Sequence, residues 1–252
     1  MTSEAEPATI LPWDTDFFGF CIGRVRDSRL TTNSLDAILQ WNDDRHIRCL
    51  YFSADATCDK TLALAHQGDF QFVDMRVDLS LVLEPAAAPA AIHRENIRPG
   101  HLADLAPLQA IARLSHHDTR FFKDRHFPVI RAEALYAEWI RRDLELHRVF
   151  VVSSPTHPEL PIGYITCLVD SAKRQGRIGL IAVADGHQGK GLGRALVSAG
   201  LDFFRSAGCC QVNVATQSAN IPAQRLYQTE GFRTCESSVW FHRWSPAEEG
   251  SA

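Results

Sequence analysis

Three glycines within five residues stand in the run Gln188-Gly189-Lys190-Gly191-Leu192-Gly193-Arg194, directly after an apolar, β-branched stretch at residues 178–183. A strand, a glycine-rich turn and a helix over residues 192–207 would crowd backbone N–H groups, and the positive end of a helix dipole, around one small anion. The chemistry is phosphate binding. A Walker A loop needs Gly-Lys followed by Ser or Thr, whereas Gly189-Lys190 is followed by Gly191. A dinucleotide fingerprint needs Gly-x-Gly-x-x-Gly; counted from Gly189 the third place is Arg194, and counted from Gly191 it is Leu196. Glycines at a strand-to-helix turn often do no more than make the turn tight. Their density here, with Gln188 and Arg194 at the flanks, favours a ligand.

Asn220 and Tyr227 lie seven residues apart on an expected helix over residues 220–230, about two turns, so both sit on one face. Asn is a good N-cap, and the tyrosine is either a site hydroxyl or a core ring beside Leu226 and Phe232; spacing leaves both open. The segment from Ser115 to Pro128 concentrates His116, His117, Asp118, Phe121 and Phe122. Its histidines could move a proton, although a lone loop histidine is usually just solvated, and its two phenylalanines could stack on a flat ligand or close the core. No further ligand is spaced to complete a metal site around the His-His-Asp cluster, so no metal is expected.

These groups need a frame. Residues 20–26, 47–53 and 70–83 read as strands, alternating with helices from Thr32 or Asn33 and over 57–67, the second ended by Gly68 as C-cap. Trp13-Asp14-Thr15-Asp16-Phe17-Phe18-Gly19 reads as an aromatic loop before the first of them. Residues 85–91, two prolines among alanines at Pro85 and Pro89, read as a linker. Beyond it come a strand at 92–98, helices at 102–114 and 131–147 (Leu135, Trp139 and Leu146 inward), strands at 149–153 and 162–169, the opening strand with its helix, a strand at 211–216, and terminal strands to Trp240. The expected domains are 1–84 and 92–245, with a tail at 246–252. Helix, glycine, phenylalanine and long strand recur at residues 62–83 and 225–244, so the halves read as copies of one αβ unit, of which only the second carries the glycines.

At 252 residues the chain can form one large domain or two smaller ones. With 26 basic and 30 acidic side chains its formal charge is −4, which implies no attraction to nucleic acid or anionic lipid. No apolar run approaches the ~18 residues of a membrane helix, and the N-terminus has no basic and apolar leader. The seven cysteines form no Cys-x-x-Cys pair and read as reduced thiols of a cytoplasmic protein.

Gln188-x-x-Gly191-x-Gly193 after an apolar strand, with Asn220 and Tyr227 on a later helix, resembles the GNAT acyl-CoA N-acyltransferases over roughly residues 92–244. The resemblance implies an α/β (α+β) fold, a mixed and mainly antiparallel sheet with splayed central strands, preceded here by a smaller degenerate GNAT-like αβ domain. It implies acetyl-CoA as co-substrate. Ile181 and Val183 would pair through their backbones with the pantetheine arm, as an added strand would. Gln188, Gly189, Gly191, Gly193 and Arg194 would contact the pyrophosphate, Asn220 would face the acyl-CoA, and Tyr227 would be the acid.

A narrower resemblance, to two-domain members acting on dTDP-linked amino-deoxy sugars, is carried by Trp13–Gly19, by the Phe121/Trp139 region and by Val214-Ala215-Thr216-Gln217-x-x-Asn220. It implies acetylation of an amino group on a 4-amino-4,6-dideoxyhexose, with Asp16, Phe17, His117, Phe121 and Phe122 as acceptor-side residues. Arg120, Lys123, Arg125 and Arg131 suit a phosphorylated acceptor, or are simply a solvated face. The alternatives are a GNAT enzyme acting on a protein N-terminus, lysine, antibiotic or polyamine, and a non-catalytic acyl-CoA-binding module. Assembly as a homodimer is left open.

Overall fold

The computed structural model describes residues 6–84 and 96–246. The expected linker at 85–91, the first residues of the expected strand at 92–98 and all but the start of the expected tail lie outside them. The chain divides into two compact units, Met1–Arg76 with Ser237–Ala252, and Val77–Glu236. This differs from the expected 1–84 and 92–245, because the end of the last strand belongs with the first unit. Its residues pair antiparallel with an early strand, from Ser238 opposite Asp55 to Trp244 opposite Cys49. Val239 and Phe241 thereby enter the first unit's core beside Leu50 and Phe52.

In that unit the strands run β1 (Ala8–Ile10), β2 (Ile22–Val25), β3 (Cys49–Asp55) and the second half of β10 (Arg233–Trp244), in that spatial order. Between them lie α1 (Pro12–Phe18), α2 (Thr32–Asp44) and α3 (Asp59–Gln67). The aromatic segment expected as a loop is α1. Pro12 enters at its N-terminus, where its missing N–H leaves no bond unmade, and Gly19 closes it at φ 82 with its N–H on the Thr15 carbonyl at 2.8 Å. Thr31, rather than Thr32 or Asn33, caps α2: its hydroxyl accepts from Ser34 N at 3.1 Å, and Ser34 Oγ accepts from Thr31 N at 2.9 Å. Thr31→Ala should therefore cost about 1 kcal/mol. In thermal unfolding this is a fall of about 2–4 °C, and an unchanged transition would mean that the cap carries no weight.

The second unit orders its strands as the end of β4 (Gln71–Val82), β9 (Gln211–Gln217), β8 (Gln175–Val183), β7 (Pro161–Asp170), β6 (Val149–Ser153) and β5 (Ile97–Pro99). β5 to β8 form an antiparallel meander, and β8 pairs parallel with β9. The helices are α4 (Leu105–Ser115), α5 (Arg120–Lys123), α6 (Val129–Glu145), α7 (Leu192–Ser206) and α8 (Ile221–Thr229). α7 buries Leu196, Val197, Leu201 and Phe204 among Ile165, Ile178, Val212 and Val214, so the helix after the glycine run is anchored on the strands that flank it. Leu135 is inward as expected, but Leu146 falls just past the end of α6 and is half exposed. All seven cysteines are free thiols. No helix of the described residues is long and apolar enough to cross a membrane.

Candidate active site

β7 and β8 pair Ile165 with Ile181 and then Cys167 with Ile178, so Gly179 and Leu180 together stand opposite Thr166. This β-bulge is held by Thr166 Oγ1, which accepts the Leu180 N–H at 2.9 Å. Four residues on, Ala184 N donates to the Ile162 carbonyl at 2.8 Å. Backbone groups alternate sides along a strand, so Leu180, Ala182 and Ala184 face β7 while Ile181 and Val183 face the other way. On that other side the partner is β9, and its pairing with β8 stops at Ile178 opposite Val214. β8 continues to Val183 without it. The N–H and C=O groups of Ile181 and Val183 therefore line a gap between parted strands, an open edge of the kind an extended ligand can join.

The gap leads into the glycine run. Gly186, Gly189 and Gly191 adopt φ values of 79, 73 and 80, the left-handed region, and Gly191 is the N-cap of α7. Gly193 differs: it lies inside the first turn of α7, where a Cβ would sit 3.4 Å from Leu226 Cδ2. The first intrahelical bond is Ala195 N to the Gly191 carbonyl, and the N–H groups from Gln188 to Arg194 find no acceptor among the described residues. Consecutive N–H groups at a helix N-terminus form an anion cradle. Around it Gln188 Nε2 donates to the Val183 carbonyl at 3.1 Å, Lys190 Nζ to the Gly186 carbonyl at 2.8 Å and Arg194 Nε to Glu230 at 2.6 Å. Arg194 is thus tethered by one face of its guanidinium. A cleft of about 300 Å³ joins these parts, lined by Ile181, Val183, Gln188, Gly189, Gly191 and Gly193 together with Ala223 and Leu226 of α8.

On α8, Asn220 is the N-cap, its Oδ1 accepting from Ala223 N at 3.1 Å. Tyr227 is 3% exposed, its ring tilted against Phe232 at 5.7 Å, yet its hydroxyl takes no protein partner among the described residues and is not one of the fully enclosed polar atoms. Burial pushes that hydroxyl's pKa up, which keeps it a hydrogen-bond donor through the neutral range.

The histidine–aromatic segment is more ordered than a loop. Phe121 lies in α5 at 1% exposure, edge-on to Phe127 and Trp139, so it is a core ring with no free face for a ligand. Phe122 stacks between His117 and Tyr136, and His117 Nε2 meets the carbonyl of Arg113 at 2.8 Å. His116 is partly buried, 2.9 Å from the Tyr164 hydroxyl and stacked on Tyr136. Asp16 and Phe17 lie on α1 of the first unit, Asp16 exposed and Phe17 stacked on Trp13 at 5.1 Å. Among the described residues no group of three or more His, Cys, Asp or Glu side chains could hold a metal ion. Sequence reasoning missed Thr166 and the bulge; the signal was Gly179 inside an otherwise apolar strand.

Burial drops His116 from 6.5 to a pKa of about 4. The folded value lies below the unfolded one, so the unfolded chain takes the proton first. Stability from this group is intact above pH 6.5, falls from there to about pH 4, and levels off below. By pH 5 the loss should be about 2 kcal/mol relative to pH 7. Urea unfolding of His116→Gln at both pH values should show a correspondingly smaller difference than the parent; equal differences would place the titrating group elsewhere.

Residues 111–232 match the acetyltransferase (GNAT) family. They include β8, the cradle, α7 and α8, so this part of the chain matches a GNAT acetyltransferase domain. A GCN5-related N-acetyltransferase from Sphaerobacter thermophilus has the same fold, with a TM-score of 0.63 at 16% identity over 94% of this chain and 76% of that one. The chain is 25% identical to dTDP-fucosamine acetyltransferase of Escherichia coli over 237 residues, covering 92% of this chain and 96% of that protein. It is 28% identical over 151 residues to the spore coat polysaccharide biosynthesis protein SpsD of Bacillus subtilis, and 29% identical over 101 residues to N-alpha-acetyltransferase 30 of Saccharomyces cerevisiae. Those two matches cover 60% and 39% of this chain and only 51% and 57% of the respective relatives.

Proposed function

We propose that the chain transfers the acetyl group of acetyl-CoA to the amino group of a nucleotide-linked amino-deoxy sugar of the 4-amino-4,6-dideoxyhexose type, by direct attack of the amine on the thioester. The observation that carries the donor half is the meeting, on one strand, of an open edge and an anion cradle. Ile181 and Val183 pair with the pantetheine arm, and the N–H groups of Gln188, Gly189, Gly191 and Gly193 hold the pyrophosphate, with Arg194 beside them. Asn220 shapes the start of α8 against the donor. The Ile181 N–H, aimed into the gap, is placed to bond the carbonyl oxygen as it gains charge, and Tyr227 donates to the departing sulfur. The acceptor half is supported by likeness to dTDP-fucosamine acetyltransferase along nearly the whole of both chains.

The shorter likeness to N-alpha-acetyltransferase 30 favours a second reading, in which the acceptor is a protein N-terminus. Thiol release from acetyl-CoA across dTDP-linked amino sugars, free amino sugars, N-terminal peptides and polyamines separates the two. The sugar nucleotides should exceed every other class in kcat/KM by about 100-fold or more. Peptides turned over as well as sugar nucleotides would reject the proposal.

A further inference from the structure

A second cavity, about 270 Å³, opens against the first part of β8. Its walls include Arg142 and Asp143 near the end of α6, Arg148 just ahead of β6, and Arg177, Gly179 and Leu180 of β8. The next three residues of the strand, Ile181, Ala182 and Val183, line the donor cleft. The two cavities therefore abut along one strand, whose residues advance about 3.3 Å each. Their junction is the bulge over Thr166, one residue past the last rung with β9. A thioester at the end of an arm laid along Val183 and Ile181 arrives there.

Asp143 stands over that junction. A Cβ on Gly179 would lie 3.9 Å from its Oδ2 and 2.5 Å from Thr166 Oγ1, so only glycine leaves the approach open. The Thr166 hydroxyl accepts the Leu180 N–H, and it and the Asp143 carboxylate both border the space beside Gly179. Burial raises the pKa of Asp143, against the smaller opposing effects of that hydroxyl, Arg148 and Arg142. A carboxylate so placed is a better base than an exposed one.

Resting on the transferase reading above, we infer that this cavity is the acceptor pocket and selects an amine joined to an anionic group, with Asp143 receiving the ammonium and Arg148, beside Arg142 and Arg177, facing the anion. An ammonium hands one N–H proton to the Asp143 carboxylate. The freed nitrogen lone pair forms the C–N bond, and the C–S bond breaks with its electron pair passing to sulfur. A second N–H proton ends on the sulfur, which the Tyr227 hydroxyl bonds meanwhile, and Asp143 returns its proton to water. One amide, one thiol and one released proton balance the step.

Asp143→Asn and Arg148→Gln, made in the full chain, test the inference by thiol release with the preferred dTDP-linked amino sugar and with the same amino sugar lacking its nucleotide. Asp143→Asn should lower kcat about 100-fold while acetyl-CoA binding, read by calorimetry, stays unchanged. Arg148→Gln should raise KM about 10-fold for the nucleotide-linked acceptor and leave that for the free amino sugar alone. Parental kcat in Asp143→Asn, or equal KM changes for both acceptors in Arg148→Gln, would overturn the assignment. Should Asp143→Asn lose acetyl-CoA binding as well, the Arg148→Gln comparison decides alone. If the parent prefers peptides or polyamines, the sugar-nucleotide reading falls by itself, and the pocket stands or falls on the kcat of Asp143→Asn with the preferred amine. Absence of turnover with every amine rejects both.

Discussion

Tyr227→Phe should lower kcat by roughly 10³-fold and leave the affinity for acetyl-CoA within about 2-fold of the parent. The substitution removes one hydroxyl and keeps the ring, so the packing against Phe232 and the core beneath α8 survives. What is lost is a donor for the sulfur as negative charge builds on it. With reference values near 10 for a tyrosine and 8.5 for a thiol, passing a full proton is uphill by about 2 kcal/mol. Burial raises the Tyr227 hydroxyl further, which makes complete transfer harder still and the neutral donor more persistent. The hydroxyl therefore acts by hydrogen bonding late in C–S cleavage, and kcat should show no tyrosine-like decline up to about pH 10. Steady-state kinetics with calorimetry of acetyl-CoA checks both halves; a variant with parental kcat would remove Tyr227 from the chemistry.

Gly191→Val should act on binding instead, raising KM for acetyl-CoA roughly 100-fold with a much smaller change in kcat. Space is not the obstacle, since nothing lies within 4 Å of a Cβ built there. The obstacle is φ 80 at the N-cap of α7, a conformation that costs a β-branched residue about 1–2 kcal/mol. Relaxing that strain rotates the peptide planes on either side and turns N–H groups out of the cradle. Gly193→Ala is the control: its backbone is helical and its new methyl meets Leu226 at ordinary contact distance, so KM should barely move. Equal KM values for Gly191→Val and the parent would show that the cradle holds no phosphate.

What could be read from the sequence follows from what is local. The β-branched run of β8, the glycines after it and the apolar face of α7 are determined by near neighbours, and their positions in the fold match that reading within a few residues. Asn220 and Tyr227 share α8 because seven residues make two turns. Features that depend on distant pairing were hidden. Nothing near Val239 or Phe241 says that their strand completes the sheet of the first unit by pairing with β3. The helix α1 was masked by aromatic density, although Pro12 and Gly19 marked both its ends. Phe121 sits in a single helical turn too short to show a period, so its burial under Trp139 left no pattern to find. Asp143 is one of several charges on an amphipathic helix, and only the bulge at Gly179 gives it a place in the site.

If β8 presents a thioester to a sugar-linked amine, thiol and acetylated sugar must form one for one. With acetyl-CoA and a dTDP-linked 4-amino-4,6-dideoxyhexose, free thiol and N-acetylated sugar nucleotide should appear in equal amounts throughout the reaction, and both should slow together in Tyr227→Phe. Thiol released without acetylated sugar, or no thiol from any nucleotide-linked amino sugar while another amine is acetylated, would contradict it.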